Sequence, residues 1–269
     1  MSDKIKPLKY LGQNFLCSPQ IAKKIVKLLG NIEGKNIYEI GPGMGALTTH
    51  IINEGANLTC FDIDLRSIDY LKQKFYNIPN IQIIHSDIRN INLSEENKNI
   101  SVIGNIPYNI TGDILYWLIN NSDNIDCAVL TIQKEVAKRW IAKENTKEYG
   151  ISTLALKLYG NTKICFNISP NSFHPKPKVT SSVVLIKFDK ELYKDINKEA
   201  LLKFIKSAFN MRRKVLSNSL NNYFNLHNVD KNQLAIHLSN HNKNYLKMRA
   251  EQLTLQDYIF FFDIVSKLF

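Results

Sequence analysis

Hydrophobic and polar positions along this 269-residue chain fall into two regimes. Up to about residue 188, short apolar runs alternate with stretches of helical period. From residue 198 onward only the helical period remains. The runs at 36–40, 57–61, 81–84, 100–103 and 127–132 are too short for helices and read as strands. Runs at 164–168 and 182–188 read as the last two strands. Helices are predicted over 46–53, 65–75, 111–119 and from 133 to about 142. An earlier helix opens at Ser18-Pro19, with Ser as N-cap and Pro in the first turn. Ile21, Ile25, Val26 and Leu29 form its apolar stripe, and Gly30 ends it. The second regime predicts helices only, over 199–209, 212–223, 231–238 and 253–268. The expected organisation is an α/β domain over 1–190 and a small all-helical C-terminal domain over 191–269.

The polar residues gather where the strands end. The first strand runs into Gly41-Pro42-Gly43-Met44-Gly45, and a helix follows. A strand feeding a glycine-rich turn that opens a helix is the first unit of a doubly wound fold. The spacing is G-x-G-x-G, which speaks against a nicotinamide dehydrogenase with its G-x-G-x-x-G. Glu39 stands just before the turn, close to where a ligand would sit. The second strand ends in Asp62-Ile63-Asp64. An acid about 20 residues past the first glycine suits a ribose diol. Asp62 is assigned that role, and Asp64 the cap of the following helix. The third strand ends in Ser86-Asp87, where Asp87 either accepts from an adenine amino group or starts a turn. Ligands of parallel sheets bind outside the carboxyl ends of the strands, so these ends share one edge.

The fourth strand leads into Gly104-Asn105-Ile106-Pro107-Tyr108. Asn105 offers a carboxamide, and Pro107 drives Ile106 towards extended backbone with its carbonyl aimed outward. Tyr108 adds an aromatic face. Two acceptors in a stiff turn beside a ring suit the exocyclic amine of a flipped purine. A strand-terminating turn with a buried Tyr accounts for the same residues. The loop Ser169 to Lys178 carries three prolines and Phe173, which is either a plug onto the core or an exposed stacking ring. The N-terminal arm holds Lys4, Lys6 and Lys9 and then Gly12-Gln13-Asn14-Phe15-Leu16. Phe15 and Leu16 are too apolar for a free tail, so the arm is expected to pack across a site.

Composition narrows the partners. The net charge of +11 points to a polyanion. Residues 191–269 carry net +5 and the first 190 net +6, so the C-terminal part is more basic per residue. Arg212, Arg213 and Lys214 stand at a predicted helix start, where cations oppose the helix dipole, so phosphate contact is the functional reading and a solvated face the bland one. His237 and His241 are spaced i, i+4 without a third ligand and read as surface residues, not a metal site. The four cysteines are far apart, and three of them lie in strand-like apolar runs, so they read as small core residues in a reducing compartment. No apolar run reaches transmembrane length, and Met1-Ser2-Asp3-Lys4 opens no signal peptide. A cytoplasmic protein, off the membrane and without a metal, is expected.

Four motifs carry a resemblance. Gly12-Gln13-Asn14-Phe15-Leu16, Glu39-Ile40-Gly41-Pro42-Gly43, Gly104-Asn105-Ile106-Pro107-Tyr108-Asn109 and Phe173-His174-Pro175-Lys176-Pro177-Lys178-Val179 resemble the KsgA (RsmA) small-subunit rRNA adenine dimethyltransferases. The match runs in order from about residue 8 to at least Leu220. It implies a Rossmann-like class I methyltransferase domain and a helical RNA-recognition domain. It implies transfer from S-adenosyl-L-methionine, leaving S-adenosyl-L-homocysteine, to N6 of two adjacent adenosines in the 3′-terminal hairpin loop of 16S rRNA. A role in subunit biogenesis and a monomeric enzyme acting on the small-subunit precursor are expected with it. By resemblance Asn14 and Leu16 close over the cofactor and Gly41 lies beneath its methionine portion. Asp62 takes the ribose, Asp87 the adenine amine, and Asn105 lies beside the methyl group. Tyr108 and Phe173 hold the target adenine. The family usually has Glu where this chain has Asp62, and Thr111-Gly112 replaces a Ser-Thr pair. The erythromycin-resistance enzymes, which methylate a large-subunit adenine, share Asn-Ile-Pro-Tyr. Pro42, together with the segment from Phe209 to Lys214 and Asn218-Ser219-Leu220, favours the small-subunit type. An rRNA-binding assembly factor with secondary methylation is a further alternative.

Overall fold

A computed structural model of the chain describes residues 5–93, 98–239 and 243–268. Lys4 and His241 lie outside the described residues. In chain order the elements are β1 Phe15–Leu16, α1 Pro19–Val26, β2 Asn36–Ile40, α2 Thr48–Asn53, β3 Asn57–Asp62, α3 Leu65–Lys74, β4 Ile81–His85, β5 Ile100–Asn105, α4 Thr111–Asn120, β6 Ile125–Gln133 and α5 Lys134–Trp140. They continue with α6 Ile151–Tyr159, β7 Gly160–Ile168, β8 Phe173–His174, β9 Ser181–Phe188, α7 Lys198–Phe209, α8 Leu216–Ser219, α9 Asn221–Leu226, α10 Lys231–Ser239 and α11 Leu255–Ser266. The seven expected strands form one sheet in the order β4-β3-β2-β5-β6-β9-β7. The first five pair in parallel, and β9 pairs antiparallel with both β6 and β7, so β9 alone runs against the rest.

The chain divides into two compact units, 1–138 with 160–190 and 139–159 with 191–269. Residues 139–159 thus fall with the helical unit, although they precede β7 in sequence. In the first unit the sheet grows from β2 outward in both directions, to β3 and β4 on one side and to β5 and β6 on the other. The reversal puts a crevice at the carboxyl ends of β2 and β5, the usual ligand position in such sheets. Register fixes its floor: Ile40 of β2 pairs with Phe61 of β3 and with Gly104 of β5. The first five residues of β5 are all buried, as a strand covered on both faces requires. At Gly104 a methyl group would lie 2.7 Å from the Ile40 carbonyl oxygen and 2.8 Å from Ile106 Cδ1, so only glycine lets β5 run this close to β2.

The N-terminal arm pairs with the proline-rich loop. Strand β1 is antiparallel to β8, with Phe15 opposite His174 and Leu16 opposite Phe173. Two-residue strands carry no periodicity, and the alternation pattern did not predict them. In the second unit, Phe204 of α7 sits edge-on to Tyr223, Tyr258 and Phe261. Tyr149 closes the core by donating from its hydroxyl to the Leu253 carbonyl at 2.8 Å. The helix expected over 212–223 is not continuous. Residues 210–214 form a turn, and α8 and α9 are two short pieces joined at Leu220. Val215 forms an isolated bridge with Arg249, which holds the chain extended where the helix was expected.

Candidate functional site

Asn14, Gly41, Asp62, Asp87, Asn105 and Tyr108 all line one cavity of about 160 Å³ at the carboxyl edge of the sheet. Leu16 lines a second cavity of about 590 Å³, which shares Phe15, Gly41 and Asn105 with the first. Six residues spread over more than ninety positions are brought together because each ends a strand, follows one, or sits on the arm.

Asp62 closes β3 and is 8% exposed. One carboxylate oxygen accepts from the Gly43 N–H at 3.2 Å and the other from the Asp64 N–H at 2.9 Å. Burial pushes its carboxyl above the usual carboxylate range, and the two N–H donors oppose that shift. The shorter Asp thus lies directly against the glycine loop. Asp64 caps α3, accepting from the Arg66 N–H at 3.1 Å, as the sequence predicts. Hydrogen bonds from Arg66 hold its carboxyl low.

Asp87 starts the turn at Ile88–Asn90, one of the two readings its position allowed, and it also lines the first cavity. Arg89 grips it through Nη2 at 2.6 Å and through Nε, and reaches Asp113 with Nη1 at 2.7 Å. The Arg89 hydrogen bonds keep the Asp87 carboxyl below the usual range, so it stays an acceptor at neutral pH. Arg89, which lines the first cavity, was not expected there, and neither was the grip of Arg66 on Asp64. The signal was present as a repeated Asp-x-Arg after two successive strands, Asp64-Leu65-Arg66 and Asp87-Ile88-Arg89. The aspartate caps the turn, and the arginine two residues on folds back to it.

Asn105 closes β5. Its Nδ2 donates to the Asn14 carbonyl oxygen at 2.7 Å. A carbonyl can only accept, so the amide orientation is set and Oδ1 is left as the acceptor. The Ile106 N–H is anchored to the Thr131 carbonyl at 3.1 Å. Tyr108 is held by its hydroxyl, 2.8 Å from Ser181 Oγ, and burial pushes its phenol pKa up.

Phe173, expected by resemblance to hold the target adenine with Tyr108, is packed inward in this structure. It is 5% exposed, belongs to the hydrophobic core with Leu16 and Ile168, and lines neither cavity. Its pairing with Leu16 across β1 and β8 buries it, which is the plug reading of this residue. Arg212, expected to contact phosphate, is engaged within its own unit. Its Nε bonds Glu251 at 3.1 Å, and its Nη atoms donate to the carbonyls of Lys147 and Thr146 at 2.8 and 3.0 Å. This arginine ties its own unit together, whereas Arg213 and Lys214 are exposed on the turn.

Glu39 was noted only for its position. It is fully buried against the second cavity, where Thr48 Oγ1 donates to it at 2.6 Å and Cys60 Sγ at 3.6 Å. Burial pushes its carboxyl up to about 7. Among the described residues no group of three or more His, Cys, Asp or Glu is placed to hold a metal ion. No helix among them is long and apolar enough to cross a membrane.

A parallel-rich sheet reversing at β2, a glycine loop tied to a buried acid and an acceptor at each neighbouring strand end define a Rossmann-like class I S-adenosylmethionine-dependent methyltransferase. Residues 6–263 match the family model of ribosomal RNA adenine dimethylase. The chain belongs to that family, and it is an S-adenosylmethionine-dependent rRNA adenine dimethyltransferase. It is 34% identical to ribosomal RNA small subunit methyltransferase A of Mycoplasma capricolum, over 97% of this chain and 98% of that protein. It is 36% identical to the protein of the same name from Cytophaga hutchinsonii, over 99% and 98%. Among solved structures, a dimethyladenosine transferase from Plasmodium falciparum superposes with a TM-score of 0.78 at 24% identity, over 94% of this chain and 98% of that one. The 23S rRNA methyltransferase ErmE superposes with a TM-score of 0.71 at 20% identity, over 94% and 100%. These two likenesses concern the fold.

Proposed function

We propose that this enzyme dimethylates N6 of two adjacent adenosines in the 3′-terminal hairpin loop of 16S rRNA. It does so as a monomer in the cytoplasm, on the small-subunit precursor, and contributes to subunit biogenesis. The relatives from Mycoplasma capricolum and Cytophaga hutchinsonii, named as small-subunit methyltransferases, support this substrate. The observation that carries the chemistry is the fixed amide of Asn105, with Nδ2 held by Asn14 and Oδ1 left to accept.

The residues fit S-adenosylmethionine. Buried Asp62 is aimed by two backbone N–H groups for a ribose, and Asp87 is kept ionised for an adenine amine. Asp62 provides a carboxylate for a cationic ligand lying over Gly41. When bound, the cofactor supplies an electrophilic methyl group on a sulfonium and leaves as S-adenosylhomocysteine.

The N6 lone pair of adenine is delocalised into its ring and is a poor nucleophile. Asn105 Oδ1 and the Ile106 carbonyl accept its two N–H bonds and localise the lone pair. Tyr108, anchored through Ser181, holds the base in place. Positioning of this kind supplies much of a barrier reduction. No base is needed before transfer, because the methylated ammonium is acidic. Arg213 and Lys214 contact phosphates from the helical unit, which serves as the RNA-recognition domain.

The test incubates the protein with labelled cofactor and undermethylated small or large ribosomal subunits, then maps the modified adenines. Label in two adjacent adenosines of the small-subunit hairpin is expected. Label in a large-subunit adenine would overturn the assignment in favour of the erythromycin-resistance type.

A further inference from the structure

The arm before α1 is pinned at both ends and tied again in the middle. At its far end Leu16 pairs with Phe173, and the Cys17 N–H donates to the Ser172 carbonyl at 2.8 Å. At its near end Arg66 Nη1 donates to the Lys6 carbonyl at 3.0 Å. Between them stands Gln13. Its Oε1 accepts from the Leu8 N–H at 2.9 Å, and its Nε2 donates to Asp64 Oδ2 at 2.8 Å. One carboxamide thus closes the arm's own turn and ties that turn to the start of α3. On either side of Gln13 the arm touches the Asn-Ile-Pro-Tyr loop. A methyl group at Gly12 would lie 2.9 Å from Asn109 Oδ1 and 3.5 Å from Pro107 Cβ. The carbonyl of Asn14 receives Nδ2 of Asn105 at 2.7 Å.

We propose that Gln13 is a positioning residue for methyl transfer, acting through the arm: its bond to Asp64 fixes the Asn14 carbonyl, and that carbonyl fixes the amide of Asn105. This rests on Asn105 Oδ1 being the acceptor of the adenine amine. If Asn14 moves, the amide of Asn105 is free to turn and present a donor where an acceptor is needed. Binding of the product cofactor draws on Asp62 and Asp87 as well as on the arm, and neither aspartate bonds Gln13 directly, so it is less sensitive to Gln13 than the orientation of Asn105 is. The loss therefore belongs in the transfer step.

The experiment measures single-turnover methylation of undermethylated small subunits at saturating cofactor, beside the Kd of S-adenosylhomocysteine and the Tm. For Gln13→Ala the transfer rate is expected to fall by about tenfold or more, with Kd changed less than about threefold. Gln13→Glu keeps the acceptor for Leu8 but faces Asp64 with a second carboxylate. Its rate is expected to recover towards that of the parent as pH is lowered and the pair takes up a proton. A full transfer rate in Gln13→Ala, or a loss confined to Kd or Tm, would overturn the proposal. If Gln13→Ala does not fold, Asp64→Asn decides. It keeps an acceptor for capping α3 while turning a donor towards Gln13, and the same fall in rate is expected. Asn105→Ala is measured in parallel. An active Asn105→Ala chain refutes the acceptor role itself, whereas an inactive one beside a full-rate Gln13→Ala chain refutes only the positioning role.

Discussion

Asn105 and Glu39 show how two side chains at one strand edge take on opposite tasks. Asn105 is fixed by a single bond and keeps one acceptor facing the cavity. Asn105→Ala removes that acceptor without opening the fold. Methyl transfer is expected to fall by about a hundredfold or more, the cost of removing one preorganised catalytic hydrogen-bonding group. Cofactor binding should stay within a few-fold of the parent, read by calorimetry. Glu39 is instead starved of water, and its folded-state pKa of about 7 lies above the ordinary 4.5. Between these values the folded chain holds a proton that the unfolded chain releases. Stability is therefore full below about 4.5 and declines as pH rises to about 7. A shift of this size corresponds to roughly 3 kcal/mol. Glu39→Gln retains an acceptor for Thr48 and should flatten the decline. Urea unfolding between pH 5 and 8 checks it, and an unchanged slope would show that Glu39 is not its source.

At the scale of elements, the junction of β2 and β5 carries the site. Gly104→Ala would press its methyl onto the Ile40 carbonyl, a backbone atom that cannot turn aside. Overpacking of this kind costs about 1–3 kcal/mol. Because Asn105 is the next residue, activity should fall further than stability does, which a denaturation curve and a transfer assay on the same preparation would separate. This junction was legible in the sequence. Apolar runs gave the strands, and each strand end carried its polar residue, because ligand chemistry and sheet geometry select the same positions. The N-terminal arm was less legible. Phe15 and Leu16 announced that the arm packs, but β1 and β8 are too short to leave a period. Phe173 was ambiguous for a related reason: an aromatic in a polar loop does not say which way it faces, and only its partner Leu16 does. The break at 210–214 was hidden because Val215 bridges to Arg249, a contact between residues far apart in sequence.

For the whole molecule, the charge of +11 is a statement about partners, and the structure separates cations left exposed from cations that hold the fold. Three adjacent residues make the distinction testable. Arg212 is spent on Glu251 and on the carbonyls of Lys147 and Thr146, all within one unit. Arg213 and Lys214 stand exposed beside it. An exposed cation that neutralises a phosphate releases a counterion, and each such contact adds about 0.7–0.9 to the slope of log K against log salt. Removing both Arg213 and Lys214 should therefore lower the slope for small-subunit binding by about 1.5, with the Tm unchanged. Arg212→Ala should do the reverse. It unpairs Glu251 and takes one donor from each of two carbonyls, of which Thr146 keeps the Tyr149 N–H, so the Tm falls while the slope of the folded protein stays as it was. Binding titrations across a salt series, set beside thermal melts, decide between the two patterns. A slope that drops with Arg212→Ala and holds when Arg213 and Lys214 are removed would place the phosphate contact on the wrong residues.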